Sequence, residues 1–266
     1  MEGIRETIMF SPVLSSKERI LLYGGAGTAK SSAAFQIAKF YQQTGTEGTI
    51  HIADTDSSAE RMKEAGYKDL DNIIIYPVYE WEDLQQFTKM PFGVRDWLVV
   101  DFISAAWQMV QDWYAEQIFN HDMATQVMFT RAKIEEINRN NSKERAPQAL
   151  DSWRDWPAIN GTYLRWLNSM FSRNRVHVLA TATPKDLTEQ TPAAVAALTR
   201  SVGMVPAGQK DLIFAFHTVL HTQKMSGKYL LTTIKDRERK EIYNYENVRF
   251  PISYLAEVAG WQVDGE

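Results

Sequence analysis

The sequence predicts an α/β fold: a mainly parallel sheet flanked by helices, with antiparallel strands towards the C-terminus and a helical insertion. Three observations carry this. Apolar runs of strand length alternate with helical patterns from Arg19 onward, the order that builds parallel sheets. The first run, Ile20–Tyr23, breaks into the glycine-rich stretch Gly24–Gly27 and then a helical pattern from Ser32. Late in the chain, two alternating segments follow each other across a short polar linker.

Each element has its own signal. Residues Met1–Lys17 form a mixed lead-in with turn signals at Ser11-Pro12 and Ser15-Ser16. The helix from Ser32 stops at Thr44-Gly45-Thr46-Glu47-Gly48. Thr49–Ala53 reads as a strand ending in Asp54-Thr55-Asp56, and Ser57–Ala65 as a helix. Asn72–Val78 is a strand, Glu80–Thr88 a short helix, and Trp97–Asp101 a buried strand tipped by a carboxylate. Ile103 to Asn138 is mainly helical, and Arg139–Pro147 is polar. The segment Ile103–Arg154 therefore reads as an insertion or helical hairpin within a single domain spanning 1–266. Trp156–Ser172 is a helix with Pro157 in its first turn. Val176–Thr181 is a strand with hydroxyls at its tip. Lys185–Lys210 reads as a long loop with a short helix near Pro192–Leu198. Leu212–His221 and Lys228–Ile234 read as paired strands joined by Thr222–Gly227, and Pro251–Gly260 as a terminal helix.

Composition narrows the function classes. The chain has 266 residues, 44% of them hydrophobic, and a formal net charge of -4. Any nucleic-acid surface must then be a local patch, not a global field. There is no cysteine, which excludes disulfides, zinc–thiolate sites and thiol nucleophiles. The N-terminal stretch lacks a basic region followed by a long apolar run, and no apolar stretch reaches membrane-spanning length. The expectation is a cytoplasmic protein without a membrane partner.

Gly24-Gly25-Ala26-Gly27-Thr28-Ala29-Lys30-Ser31 follows the phosphate-cradling pattern Gly-x-x-x-x-Gly-Lys-Ser/Thr, with Ala29 in place of the second glycine. Glycines let successive N–H groups turn inward, and the following helix points its positive end at the same spot. The cradle is expected at Gly24, Gly25, Ala26, Gly27, Thr28, Ala29, Lys30, Ser31 and Ser32. Lys30 would bring its charge to the outer phosphates, and the Ser31 hydroxyl suits Mg²⁺. The carboxylate of Asp101, at the tip of a later buried strand, would hold the same metal. The expected cofactors are ATP and Mg²⁺.

The order of these parts resembles the RecA-like core ATPases, most closely the small phage ATPases of that core linked to single-strand annealing and recombination. The parts are the phosphate loop, a strand with an acidic tip, the Asp101 strand, a strand with a hydroxyl tip, a long loop, and antiparallel strands ending in Lys235-Asp236-Arg237. The resemblance covers most of Arg19 to Ile242, without Ile103–Arg154. It implies that Asp56 activates the attacking water, with a helix cap before Ser57–Ala65 as the plainer reading. It implies that Lys235 and Arg237 reach a neighbour's γ-phosphate, against the alternative of a solvated charged turn. Thr183 would sense the γ-phosphate or simply cap its strand. Catalytic roles then fall to Lys30, Asp56, Asp101, Lys235 and Arg237. The implied partners are further copies of the chain, in a ring or filament, and single-stranded DNA held by segments within Ile103–Arg154 and Lys185–Lys210. Trp153, Trp156 and Trp166, with Arg154 and Arg165, are candidate base-stacking residues or plain core. The implied function is ATP hydrolysis coupled to DNA in phage recombination or replication. The alternative is a nucleotide-gated assembly protein with weak turnover.

Overall fold

In the computed structural model, strand β1 (Arg19–Gly24) is buried on both faces, as a central parallel strand must be. Alternation sends Leu21 and Tyr23 into one apolar cluster and Ile20 and Leu22 into another. The structure describes residues 17–140, 143–172, 176–237, 242, 245–246 and 250–257. The lead-in Met1–Ser16, the basic stretch Arg173-Asn174-Arg175 and the charged run from Glu238 to Glu241 lie outside the described residues.

The other elements follow in order: α1 (Ser32–Thr44), β2 (Ile50–Asp54), α2 (Ser58–Gly66), β3 (Ile73–Pro77), α3 (Trp81–Phe87), β4 (Trp97–Asp101), α4 (Ile103–Phe119), α5 (Met123–Arg139), α6 (Asp155–Ser172) and β5 (His177–Ala182). Then come β6 (Pro184–Asp186), α7 (Ala193–Thr199), β7 (Met204–Pro206), α8 (Leu212–Ala215), β8 (Thr218–Met225), β9 (Lys228–Asp236), β10 (Tyr245–Glu246) and α9 (Ile252–Glu257).

The main sheet has eight strands in the order β10-β9-β8-β1-β5-β4-β2-β3. From β8 to β3 every neighbouring pair is parallel; β9 and β10 add antiparallel strands at one side. This is the fold class expected from the sequence. Helix α1 and α9 cover one face through Phe35, Ile37, Tyr254 and Leu255. Helices α3, α4, α6 and α8 cover the other through Trp81, Leu84, Ile103, Val110, Tyr163, Leu167 and Leu212. Strands β1, β2 and β4 all end at the same edge, and that edge carries the phosphate-loop motif and both acidic tips.

Four expectations need correcting or refining. Leu212–Ala215 is a helical turn, α8, and the strand expected from Leu212 begins only at Thr218. Apolar character misled here: Leu212, Ile213 and Phe216 are buried against the core cluster, and burial alone does not tell a short helix from a strand. The expected linker Thr222–Gly227 is mostly strand. β8 runs to Met225, which pairs with Lys228 across a two-residue turn. Ser226 and Gly227 both have positive φ (50° and 80°), as a tight hairpin turn with matching twist requires. The long loop Lys185–Lys210 contains α7 as expected and also an antiparallel ribbon of β6 and β7. Finally, the helical stretch from Ile103 forms two helices of different standing. Ile103, Ala106 and Val110 of α4 are fully buried in the core, whereas α5 leans on α4 and buries only Met123 and Ile137.

Candidate functional site

The phosphate loop runs from the end of β1 into α1, and β8 closes on it from the side. A Cβ on Gly24 would lie 2.1 Å from the carbonyl oxygen of Thr222, so only glycine lets the two backbones approach. Thr222 then donates to Thr28 Oγ1 at 2.9 Å, and Thr28 Oγ1 donates to the Gly25 carbonyl at 2.9 Å. The loop is thus tied across its width and to β8. Gly27 and Ala29 both sit in the left-handed region, with φ of 68° and 67°. The alanine has adopted the conformation that the motif normally gives to glycine.

Lys30 is buried. Its Nζ donates to the carbonyls of Gly24 and Gly25, each at 2.8 Å, and lies 5.5 Å from the centre of the Phe102 ring. Burial lowers its pKa, and the charges of Asp101 and Asp56 pull the other way. Two carboxylates therefore face this ammonium group, and a polyphosphate would take over that role.

Asp101 ends β4 beside Asp54, the last residue of β2. Its carboxylate accepts a hydrogen bond from Thr181 of β5, and the Ser31 hydroxyl of the loop stands near enough to favour its charged form. Burial pushes its pKa up to about 6, the two hydroxyls work against that rise, and Asp56 and Asp54 add to it. A carboxyl in this state invites a cation. A hydroxyl and a carboxylate near one another are hard oxygen donors of the kind Mg²⁺ accepts alongside waters and phosphate oxygens. Among the described residues no cluster of three His, Asp or Glu side chains forms a metal cage.

The two carboxylates of Asp54-Thr55-Asp56 divide the work. Asp54 is buried and accepts from the N–H groups of Ala59 (2.9 Å) and Ser58 (3.3 Å), so it caps α2. Burial raises its pKa, and the Ala59 N–H opposes that rise. Asp56 is exposed; it accepts one bond from the Ser58 N–H at 3.1 Å, and its charge acts on Lys30 and Asp101. Thr55 locks β2 to β4: its N–H and its hydroxyl both donate to the Asp101 carbonyl, at 2.7 and 3.1 Å.

Thr183 is exposed beyond β5 and touches Ser104 at 3.4 Å, not the loop; the hydroxyl that reaches Asp101 belongs to Thr181. Lys235 Nζ donates to the carbonyls of Ile213 (3.1 Å) and Phe216 (2.5 Å), which turns it onto the end of α8. Arg237 is exposed. By register Asp236 pairs with Thr218, which stands beside Ile20, whereas Gly24 stands beside Thr222. At ~3.3 Å per residue, Asp236 is about 13 Å below the level of Gly24. The pair is thus not brought to its own chain's loop. Of the candidate stacking residues, Trp166 is buried with its N–H donated to the Leu84 carbonyl at 3.3 Å, and Trp156 packs on Trp107. Only Trp153 is open, at 88% exposure.

Sequence reasoning missed Thr181, Thr222, Asp54 and His221 as site residues. His221 stands on β8 beside Tyr23, ring centres 5.0 Å apart; burial and then the Lys30 charge lower its pKa. The strand-end hydroxyls and the acidic triplet were visible as signals. Which member points at the loop depends on register between strands far apart in the chain.

No protein-family model matches the chain, and no curated protein matches it. Among solved structures, the RadB recombinase is 12% identical, with 85% of this chain and 84% of that one covered and a TM-score of 0.45. The flagellar accessory protein FlaH from Methanocaldococcus jannaschii is 13% identical, with 83% and 80% covered and a TM-score of 0.39. Both scores are low, and the reading of this chain rests on its own strand order and site. Among the described residues no helix is long and apolar enough to cross a membrane.

Proposed function

We propose that the protein binds ATP with Mg²⁺ in the loop Gly24–Ser31 and hydrolyses it in work on single-stranded DNA, in phage recombination or replication. One observation carries the nucleotide reading: the tip of β4 comes to the loop, with the Phe102 ring 5.5 Å from the buried Lys30 ammonium and the Asp101 carboxylate, 70 positions on from Ser31, near enough to act on both residues. In this reading Lys30 exchanges its carbonyl partners for phosphate oxygens, and Ser31 and Asp101 hold the metal. The metal supplies charge neutralisation of the phosphates when bound. Backbone N–H groups from Gly24 to Ser32 form the cradle, and Thr183 contacts the outer phosphate. Asp56, exposed and close enough for its charge to act on Lys30, orients the attacking water. Lys235 and Arg237 serve the loop of a neighbouring copy in a ring or filament. Their distance from their own loop supports that assignment.

The test combines binding, turnover and size in one sample. Saturable uptake of ATP with Mg²⁺, lost in Lys30→Ala and Asp101→Ala, is expected. Turnover should rise with single-stranded DNA at low salt, where phosphate contacts are strongest. Absence of ATP uptake would remove the nucleotide reading. Uptake with no DNA response would leave the second reading, a nucleotide-gated assembly protein. That reading draws support from Ala29, whose left-handed backbone strains the loop, and from the short side chain of Asp56.

A further inference from the structure

Helices α3, α4 and α6 pack side by side on one face of the sheet, and between them lies a groove of about 330 Å³. It is lined by Gln85 and Lys89 from the end of α3, Trp113 from α4, and Thr162, Arg165 and Trp166 from α6. No aspartate or glutamate lines it. Helix α6 leads to β5, and its C-terminal end lies at the edge of the sheet opposite the phosphate loop, where the Phe171 carbonyl accepts from Arg19.

Thr88 and Ser169, which also line the groove, donate their hydroxyls to backbone carbonyls of α3 and α6. Among the described residues, neither Lys89 nor Arg165 pairs with a carboxylate. Arg165 makes a single bond, to Thr162 Oγ1 at 3.2 Å, which steadies the guanidinium over the groove and leaves most of its N–H groups free. The Gln85 amide and the Trp113 indole N–H have no protein acceptor among the described residues. Trp113 is half-buried, so one side of its ring is held by the core while the other faces the groove. Trp166 closes the floor and is fixed by its bond to Leu84. Two cations without a carboxylate partner beside a half-buried aromatic ring make a receptor for an anion that carries a flat ring. The volume lies at the lower end of the ~300–1,000 Å³ found for ligand pockets, room for one such unit.

We propose that this groove holds a nucleotide unit of a single-stranded nucleic acid, its phosphate between Lys89 and Arg165 and its base against Trp113. It is a second binding place, separate from the phosphate loop and from Lys185–Lys210, and it takes Trp113 alone from Ile103–Arg154. It rests on the DNA-directed reading above only for the identity of the polymer. An acidic peptide would satisfy the two cations but would leave the indole face unused.

The experiment uses the full chain and a fluorescein-labelled oligothymidylate, with anisotropy read across a salt series. Lys89→Glu/Arg165→Glu is expected to weaken binding about tenfold or more. It should also make the slope of log K against log salt shallower by about 0.7 for each phosphate no longer neutralised. Trp113→Leu should weaken binding about tenfold with the salt slope unchanged, as removal of stacking without removal of charge requires. ATP uptake in both variants should equal the parent's, which shows that they fold. Variants that bind the oligonucleotide as the parent does would overturn the groove while the DNA-directed reading stands. A parent that binds no oligonucleotide at low salt would overturn both. A polyglutamate peptide that displaces the oligonucleotide from the parent, but not from the double variant, would overturn the nucleotide assignment in favour of an acidic peptide.

Discussion

Ala29 occupies backbone space that suits glycine, with φ at 67°. A Cβ there costs on the order of 1 kcal/mol against the following carbonyl. Ala29→Gly should therefore stabilise the folded chain by roughly 0.5–1 kcal/mol, after the extra freedom that glycine gives the unfolded chain is subtracted. Urea midpoints of the two forms measure this; a loss of stability would mean that the strain is absent. His177 supplies a second test. Its Nδ1 accepts from the Glu18 N–H at 3.2 Å and its ring stacks on Trp97 with centres 4.8 Å apart. Burial, with Lys17 as the smaller influence, pushes its pKa down from 6.5 to about 3. Below pH 6.5 the unfolded chain takes up a proton that the folded chain refuses. Stability from this group is thus complete above pH 6.5 and is lost as pH falls from there towards 3, by up to ~1.4 kcal/mol per pH unit. Urea midpoints at pH 7 and pH 5 should differ in the parent, and the difference should shrink in His177→Gln.

Lys235 shows how an element can recruit a residue for two purposes. The sequence pattern places it beside Arg237 as a pair of cations, yet its ammonium rests on the carbonyls of Ile213, Phe214 and Phe216. A lysine that holds the last turn of a four-residue helix is structural in the isolated chain. Lys235→Met should cost about 1–3 kcal/mol, because charged hydrogen bonds are lost at partly buried carbonyls. Arg237→Ala should leave the melting temperature unchanged and lower only turnover. If Lys235→Met melts as the parent does and still loses turnover, the tether is not stabilising and the γ-phosphate role stands alone. The same scale explains what could be read in advance. The five-residue runs of β2 and β4 are legible because a central parallel strand is buried on both faces, and β3, at the sheet edge, is legible from its three successive isoleucines. Three-residue β6 and β7 and four-residue α8 carry no period and were invisible. In the site, the loop and Asp101 were legible from local pattern. The Thr181–Asp101 and Thr222–Thr28 hydrogen bonds were not, because they depend on which strands lie side by side.

At the scale of the whole molecule the sheet separates the two halves of the proposed chemistry. The loop and Asp101 stand at the edge where β1 and β4 end, while β9 runs the other way and carries Lys235 and Arg237 away from it. Two strand widths and about 13 Å of strand lie between them, too far for one chain to complete its own site. The proposed head-to-tail contact between copies would solve this: it would present one chain's β9 end to the next chain's loop, and repeated contacts would close a ring or extend a filament. The arrangement has a numerical consequence. Lys30→Ala destroys a chain's own loop but leaves its Arg237 sound; Arg237→Ala does the reverse. Each variant alone should be inactive. In an equal mixture of freely exchanging chains, a working site needs an intact loop from one kind beside an intact arginine from the other. Random neighbours meet that condition about one time in four, so turnover should recover to about a quarter of the parent's per chain in a head-to-tail assembly. Recovery requires both kinds of chain in one assembly, so it should vanish on dilution below the concentration at which sizing shows single chains. A mixture no more active than its parts, under conditions where the chains co-assemble, would place the completing cation elsewhere.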